Sequence, residues 1–444
     1  MKSHQASDAY YLLSFFMVMI LLGSIALSLP YAWIGNPGGR NRLPFIDAFF
    51  TATSAVCVTG LVTVDTSGFS VFGQAIILTL IQLGGLGIIS FTSILLTIPG
   101  RRLPLRRLKT IQSFYLDGVE FEPAKIVRNI VFFTLLIEGT GAAILYFQFR
   151  NAGIINPAFS AVFHAVSAFC NAGFSTFPSG IREQAENGAV LGTLSLLIVL
   201  GGIGFIVMQD IKRRFTGKRR TLTYHTKVVL GATTFLIACG ALAFWLLERR
   251  RAYGDFGLGL SVMNALFQSI TTRTAGFDSM LQASLSQPSK ALTLTLMFIG
   301  GAPGSIAGGI KVTTAFVVAM VMLRRPNAKG DITIFRRRLS AKTTNDAVVY
   351  FLKAVALLLV STGALSLIEG FRGADFSEIV FESVSAFGTV GLSLGLTPDL
   401  GVAGKLVIIG TMFAGRVGLI ALAFPGRGSL ADAVSYPQGN ILLG

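Results

Sequence analysis

Four glycine-centred tetrapeptides hold the chemistry of this 444-residue chain: Val58-Thr59-Gly60-Leu61, Asn171-Ala172-Gly173-Phe174, Thr274-Ala275-Gly276-Phe277 and Thr389-Val390-Gly391-Leu392. None contains a charged side chain, so binding there falls to the backbone. Extended carbonyls aimed at a common axis replace an ion's hydration shell without the trap that a carboxylate would make. Glycine permits the backbone angles such a strand needs. The expected filter residues are Val58, Thr59 and Gly60, Asn171, Ala172 and Gly173, Thr274, Ala275 and Gly276, and Thr389, Val390 and Gly391. A cation is the expected cargo, held at carbonyls only.

The spacing makes this a repeat rather than a coincidence. The glycines are 113, 103 and 115 residues apart. Phe50, Phe163 and Phe381 each stand ten residues before their glycine; Phe267 stands nine before, so the third short helix is shifted by one residue. Ser54, Ser167 and Ser385 each stand six before.

The elements that must position the tetrapeptides follow the same order four times. A long apolar helix precedes a short semi-polar one, and a second long helix follows the tetrapeptide. The long helices are expected at 11–33 and 71–98, 126–149 and 189–208, 226–247 and 290–323, and 346–369 and 402–423. The short ones are expected at 45–58, 157–170, 258–273 and 376–388, too short to cross a bilayer core of about 30 Å. Non-helical backbone at that depth must be buried or face water, so each short helix enters and returns on one side. The expectation is an all-α membrane protein with eight transmembrane helices. Four parallel helix–pore-helix–helix repeats surround one pseudo-four-fold pore. Repeat boundaries fall at 9–110, 111–220, 221–340 and 341–426, with a cytoplasmic tail at 427–444.

Composition supports a membrane protein. Hydrophobic residues make up 52% and charged residues 13%, with mean hydropathy +0.68; a water-facing domain carries about 25% charged residues. The net charge of +16 would suggest nucleic acid in a soluble protein, but its placement argues for topology. Of 37 Lys and Arg, 23 fall on one set of loops, concentrated at 101–128, 212–227 and 324–342, 11 on the other, and three, Lys311, Lys353 and Arg416, at or near membrane depth. That asymmetry makes the crowded loops cytoplasmic, with both termini cytoplasmic and the short helices entering from outside. The run 11–30 is too long for a signal-peptide core and is expected to be a retained helix. Cys57, Cys170 and Cys239 form no C-x-x-C pair, and no P-loop, nucleophile elbow or H-E-x-x-H pattern occurs. An enzyme is not expected.

These features resemble the Ktr/Trk/HKT superfamily of potassium transporters, and within it the bacterial KtrB-type pore subunits. The likeness rests on the four tetrapeptides, the stretch from Gly300 to Lys311, Ile334-Phe335-Arg336-Arg337 and Gly415-Arg416-Val417-Gly418, and covers roughly residues 9–444. It implies K⁺ uptake in the plasma membrane, with possible Na⁺ stimulation. It also implies a homodimer with one pore per protomer, controlled by a cytosolic ring of RCK-type (KtrA-like) subunits that bind the nucleotide, ATP or ADP. No covalent cofactor is expected on this chain. Glycine at all four filter positions resembles the potassium-preferring pattern, since serine at the first accompanies sodium selectivity in the superfamily. The alternative is a coupled Na⁺/K⁺ or H⁺/K⁺ symporter, a class that usually shows inverted repeats and broken helices.

Several other residues have competing readings. Arg416, in the middle of an apolar helix, costs about 3 to more than 10 kcal/mol to bury. The resemblance places it just below the filter as a positive barrier. Glu138, mid-span, is expected to bond a neighbouring helix, away from the filter. Asp65, Asp278 and Asp399 are either cation-concentrating or simply solvated. Cys57 and Cys170 share the pre-filter register and are expected to be small packing residues. The basic segments 212–220 and 336–338 suit topology, anionic lipid or an acidic face of the regulatory ring.

The expected gate is an intramembrane loop at 300–311. The helix proposed for 290–323 contains Gly300, Gly301, Pro303, Gly304, Gly308 and Gly309, all poor helix residues. A continuous helix is improbable there, and the unwound part can project under the filter. Ser305 lies within this loop, and Lys311 near its end adds a positive charge. Superfamily members carry more Ser and Thr where this chain has Ala302, Pro303 and Ile306, which leaves fewer hydroxyls to hold the loop closed.

Overall fold

The structure, a computed structural model, describes residues 4–35, 42–97, 123–217, 221–324, 331–334 and 337–418. The tail 427–444, the basic residues from 101 to 109, Lys218 to Arg220 and Arg336 lie outside the described residues. Fourteen helices are named here in chain order: α1 His4–Leu27, α2 Phe45–Val56, α3 Val71–Thr97, α4 Pro123–Asn151, α5 Pro157–Phe169, α6 Gly188–Gly202, α7 Phe205–Phe215, α8 Tyr224–Glu248, α9 Leu258–Thr271, α10 Gln287–Phe298, α11 Val312–Leu323, α12 Ala341–Glu369, α13 Phe376–Gly388 and α14 Val402–Phe413. A π-helical turn, Ala414–Gly418, follows α14.

The fold is almost wholly helical. One departure is a two-stranded antiparallel hairpin, β1 Ile332–Ile334 with β2 Arg337–Leu339. Asp331 stabilises it by pairing with Arg338 at 3.2 Å and accepting from Ala341 N.

The short helices α2, α5, α9 and α13 each pack on the long helix before them. They also pack sideways in sequence: α3 meets α5, α6 meets α9, α10 meets α13, and α14 returns to α2. The two ends of the chain are thereby brought together around a common centre. The aromatic anchors Phe50, Phe163, Phe267 and Phe381 lie at 0 or 1% exposure in the clusters behind it. Around the periphery large apolar side chains are exposed, among them Leu22, Phe132, Phe235 and Val360. In a chain this apolar, such a surface belongs against lipid.

Among the described residues, three stretches are long and apolar enough to cross a bilayer by length and composition: Val127–Asn151, Tyr224–Glu248 and Ala341–Arg372. A fourth is added if α6 and α7 count as one bent span. Of the other expected long helices, α1 and α3 are continuous over 24 and 27 residues, while two carry breaks. The helix expected at 189–208 ends at Gly202 and turns by 98° into α7. Gly204, with φ of 86°, makes that corner. The one expected at 290–323 is broken between Phe298 and Val312, and the one expected at 402–423 passes into the π turn after Phe413.

Candidate functional site

Each short helix ends by throwing the chain into left-handed backbone. The first tetrapeptide residue has positive φ in all four copies: Val58 55°, Asn171 56°, Thr274 77° and Thr389 48°. The glycine two residues on is also positive, between 70° and 96°. For Val and Thr this region is strained, and fixed hydrogen bonds hold it. Thr59 N, Ala172 N and Val390 N donate to the carbonyls of Ser54, Ser167 and Ser385 at 2.7–2.9 Å. The Ser54 and Ser385 hydroxyls accept from Gly60 N and Gly391 N at 3.0 Å, and Ser167 Oγ donates to Phe174 O. In the third copy Thr271 takes the serine's part, donating to Phe277 O while its carbonyl accepts from Gly276 N. It stands one residue nearer its glycine, as the Phe267 spacing anticipates.

The four tetrapeptides meet in a closed ring. A methyl group added at Gly60 would lie 2.5 Å from Ala172 O, and one at Gly173 2.8 Å from Ala275 O. One at Gly276 would fall still closer to Val390 O, and one at Gly391 to Thr59 O, which closes the circle. All twelve expected filter residues are therefore brought together. Thr59, Ala172, Ala275 and Val390 are fully buried. Four helix C-termini, each partially negative, point into this ring of uncharged backbone. Such an arrangement can attract a cation and offer it carbonyl oxygen.

The segment from Gly300 to Lys311 crosses directly beneath. Its neck is closed by Gly300 N donating to Ile310 O at 2.8 Å and by a bridge between Ile299 and Ile310. Gly308 abuts the Thr389 hydroxyl and Gly309 approaches the Gly388 backbone, so a β-carbon at 308 would force Thr389 to shift. Ile306 touches Gly85 of α3. The loop is also pinned to the α6–α7 corner: Ala302 N donates to Gly202 O at 2.9 Å and Phe205 N to Gly304 O at 3.1 Å. Ser305 Oγ donates to Ala302 O within the loop.

Three cations donate to carbonyls of this loop, two of them, Arg416 and Arg273, from outside it. Lys311 Nζ donates to Ala307 O at 2.5 Å. Arg416, 4% exposed, donates through Nη1 to Ile306 O and through Nη2 to Gly84 O at 3.3 Å. Arg273 Nη2 donates to Gly300 O at 3.2 Å, while its Nε is buried without a partner. Beside Arg273 and Gly301 lies a cavity of about 20 Å³, large enough for one water. The sequence makes Arg273 the last residue of the third short helix; the structure buries it behind the third tetrapeptide. The signal that finds it is the position before each tetrapeptide, which holds Cys57, Cys170, Arg273 and Gly388.

Glu138 departs from its expected place away from the filter. It accepts from Gln82 Nε2 at 3.1 Å and contacts Cys170 Sγ at 3.8 Å, next to Asn171. Its bond to a neighbouring helix is as expected. Cys57 and Cys170 are buried free thiols. On the loops after the tetrapeptides, Asp278 pairs with Arg182 at 3.4 Å. Burial pushes its carboxyl up to about 7, against the pull of Arg182. Burial also raises Asp65, which accepts from Ser67 N at 3.0 Å. Asp399 is exposed in a 3₁₀ turn, Thr397–Asp399. Of the basic segments, α7 ends in Lys212, Arg213 and Arg214, with Lys212 4.6 Å over the Phe133 ring.

Residues 7–439 match the family described as TrkH, cation transport protein. The chain is 35% identical to Ktr system potassium uptake protein B of Bacillus subtilis, over 97% of this chain and 95% of that protein. It is 36% identical to the potassium/sodium uptake protein NtpJ of Enterococcus hirae, over 97% and 95%. The fold is similar to the crystal structure of the potassium transporter TrkH from Vibrio parahaemolyticus. There the TM-score is 0.74 at 21% identity, covering 95% of this chain and 84% of that one.

Proposed function

We propose, from the premise that the chain belongs to the TrkH family of cation transport proteins, that it takes up potassium through the ring of four tetrapeptides. The family comprises ion transporters, and the chain is not an enzyme. The observation that carries the potassium reading is the closed ring, in which uncharged backbone from four helix C-termini surrounds one axis. Carbonyls of the twelve tetrapeptide residues replace the hydration shell. Eight spans then enclose the pore in four parallel helix–pore-helix–helix repeats, with both termini on the cytoplasmic side of the plasma membrane. The loop 300–311 closes the path below.

The same reading includes a homodimer and a cytosolic RCK-type ring that carries the nucleotide. The ring has α7's basic end and exposed Arg337 to dock on. Na⁺ stimulation and anionic-lipid contacts belong to the same proposal. The test is ion flux from purified protein in liposomes. Downhill K⁺ and Rb⁺ flux exceeding Na⁺ flux, without Na⁺ or a pH gradient, is expected. K⁺ movement that stops unless Na⁺ or H⁺ moves with it would establish the symporter instead, which the interrupted helices favour.

The arginines give the first expected outcome. A hydrogen bond to a charged group contributes about 1.5–3 kcal/mol, so losing one shifts an open–closed equilibrium roughly tenfold. Arg416→Ala and Arg273→Gln should each raise basal flux by about that factor, measured per folded molecule. The K⁺-to-Na⁺ ratio should stay unchanged, because neither side chain enters the ring. A changed ratio with unchanged basal flux would place Arg273 in service of the filter rather than the loop.

A further inference from the structure

A second site lies on the lipid-facing flank of the loop's neck. A pocket of about 500 Å³ opens between α10, α11 and α12, walled by Phe298, Ile299, Ile310, Val318, Met322 and Phe351. One wall hydroxyl is present, that of Thr295, and it already donates to Ala291 O in its own helix. An apolar pocket of this size is ligand-scale and offers water no partners. It is continuous with the exposed apolar surface of the same helices, where Met322, Leu323, Leu352 and Leu359 are 59–76% exposed. Ile299 and Ile310 are the residues at which the chain leaves and rejoins the helix, so an occupant bears directly on the loop's neck.

The charge at one end of this pocket selects the occupant. Arg324 caps α11 two residues beyond Met322, and Lys342 lies in the first turn of α12. The hairpin between them adds Arg337 and Arg338, against Asp331 and Asp346. Among the described residues that end is net positive, and basic pockets beside spanning helices hold anionic headgroups.

We propose that an anionic diacyl phospholipid of the surrounding bilayer lays one acyl chain in this pocket, with its headgroup at Arg324 and Lys342. The chain buttresses the Ile299–Ile310 neck and keeps the loop in place. This rests on the membrane reading above for the bilayer and its cytoplasmic face, but not on ion selectivity.

The test uses the full chain purified from phosphatidylglycerol-containing vesicles, with retained lipid read by native mass spectrometry. Wild type should retain phosphatidylglycerol in preference to phosphatidylcholine. Ala319→Trp, which fills the pocket, and the double variant Arg324→Gln/Lys342→Gln should each lower retention at least threefold. Leu358→Trp fills it from α12 if Ala319→Trp fails to fold. Basal flux should rise severalfold when phosphatidylcholine replaces phosphatidylglycerol in wild type, and not in the filled variants. Equal retention in wild type and every folded variant overturns the proposal. So does a change of oligomeric state without a change in lipid, which would make the pocket a seat for a second copy. Retention is read without flux, so a protein that proves not to conduct K⁺ still decides it.

Discussion

Removing residues 301–308 is expected to raise ion flux roughly a hundredfold and to abolish control by a cytosolic partner, because the loop is held shut by a small number of strong bonds. From outside the deleted segment, Arg416 donates to Ile306 O and Phe205 N to Gly304 O, while Ala302 N donates to Gly202 O. At about 1.5–3 kcal/mol for the charged bond and about 0.5–1.5 for each of the two neutral ones, their loss sums to about 2.5–6 kcal/mol, against the roughly 5.5 kcal/mol that moves a two-state equilibrium from 1:99 to 99:1. The deletion removes the carbonyls of Ile306 and Ala307 and the glycine that abuts Thr389. Flux in liposomes, normalised to folded protein, measures the effect. Folded protein with unchanged flux would show that the loop is not the gate.

The second large effect concerns the ring itself. Gly276→Ser should lower the K⁺-to-Na⁺ uptake ratio by roughly tenfold, about 1.4 kcal/mol of discrimination. A β-carbon there collides with the Val390 carbonyl, which belongs to backbone and has nowhere to swing. The same contact distances rank the four positions. Gly276 and Gly391 are the most crowded, Gly60 comes next at 2.5 Å, and Gly173 is the least crowded at 2.8 Å. Serine at each, tested by uptake in a K⁺-requiring strain titrated with each ion, should follow that order. Equal apparent affinities in all four variants would remove the ring from selectivity.

Much of this site is legible in the sequence because it is built from local rules repeated four times. Glycine at fixed distance after Ser54, Ser167 and Ser385 marks a helix ending in a capped strand, and the nine-residue spacing from Phe267 betrays the shifted third copy. The glycines from 300 to 309 announce a break in a helix because their cost is intrinsic to the residue. What escapes is tertiary. The corner at Gly204 depends on Pro303 and Gly304 approaching from a hundred residues away. Arg273 reads only as the end of a short helix until its carbonyl partner at Gly300 is located. Glu138 reads as peripheral because helix periodicity gives a face but not the neighbour that occupies it. The helix expected at 189–208 turns at Gly202, whereas the one expected at 290–323 breaks where its glycines imply.

The 98° corner has a mechanical consequence. Helix α7 is 11 residues long, about 16 Å at 1.5 Å per residue. One end is bonded to the loop, Phe205 N to Gly304 O, and the other carries Lys212, Arg213 and Arg214. It is a rigid arm with its pivot at Gly204. A force applied at the basic end would reach Gly304 through the helix, and the corner it turns on also abuts Phe169 O and Asn171 at the second tetrapeptide. A residue bearing a β-carbon at Gly204 would meet Pro303 O at 2.8 Å in left-handed backbone, so substitution there would displace the corner from the loop.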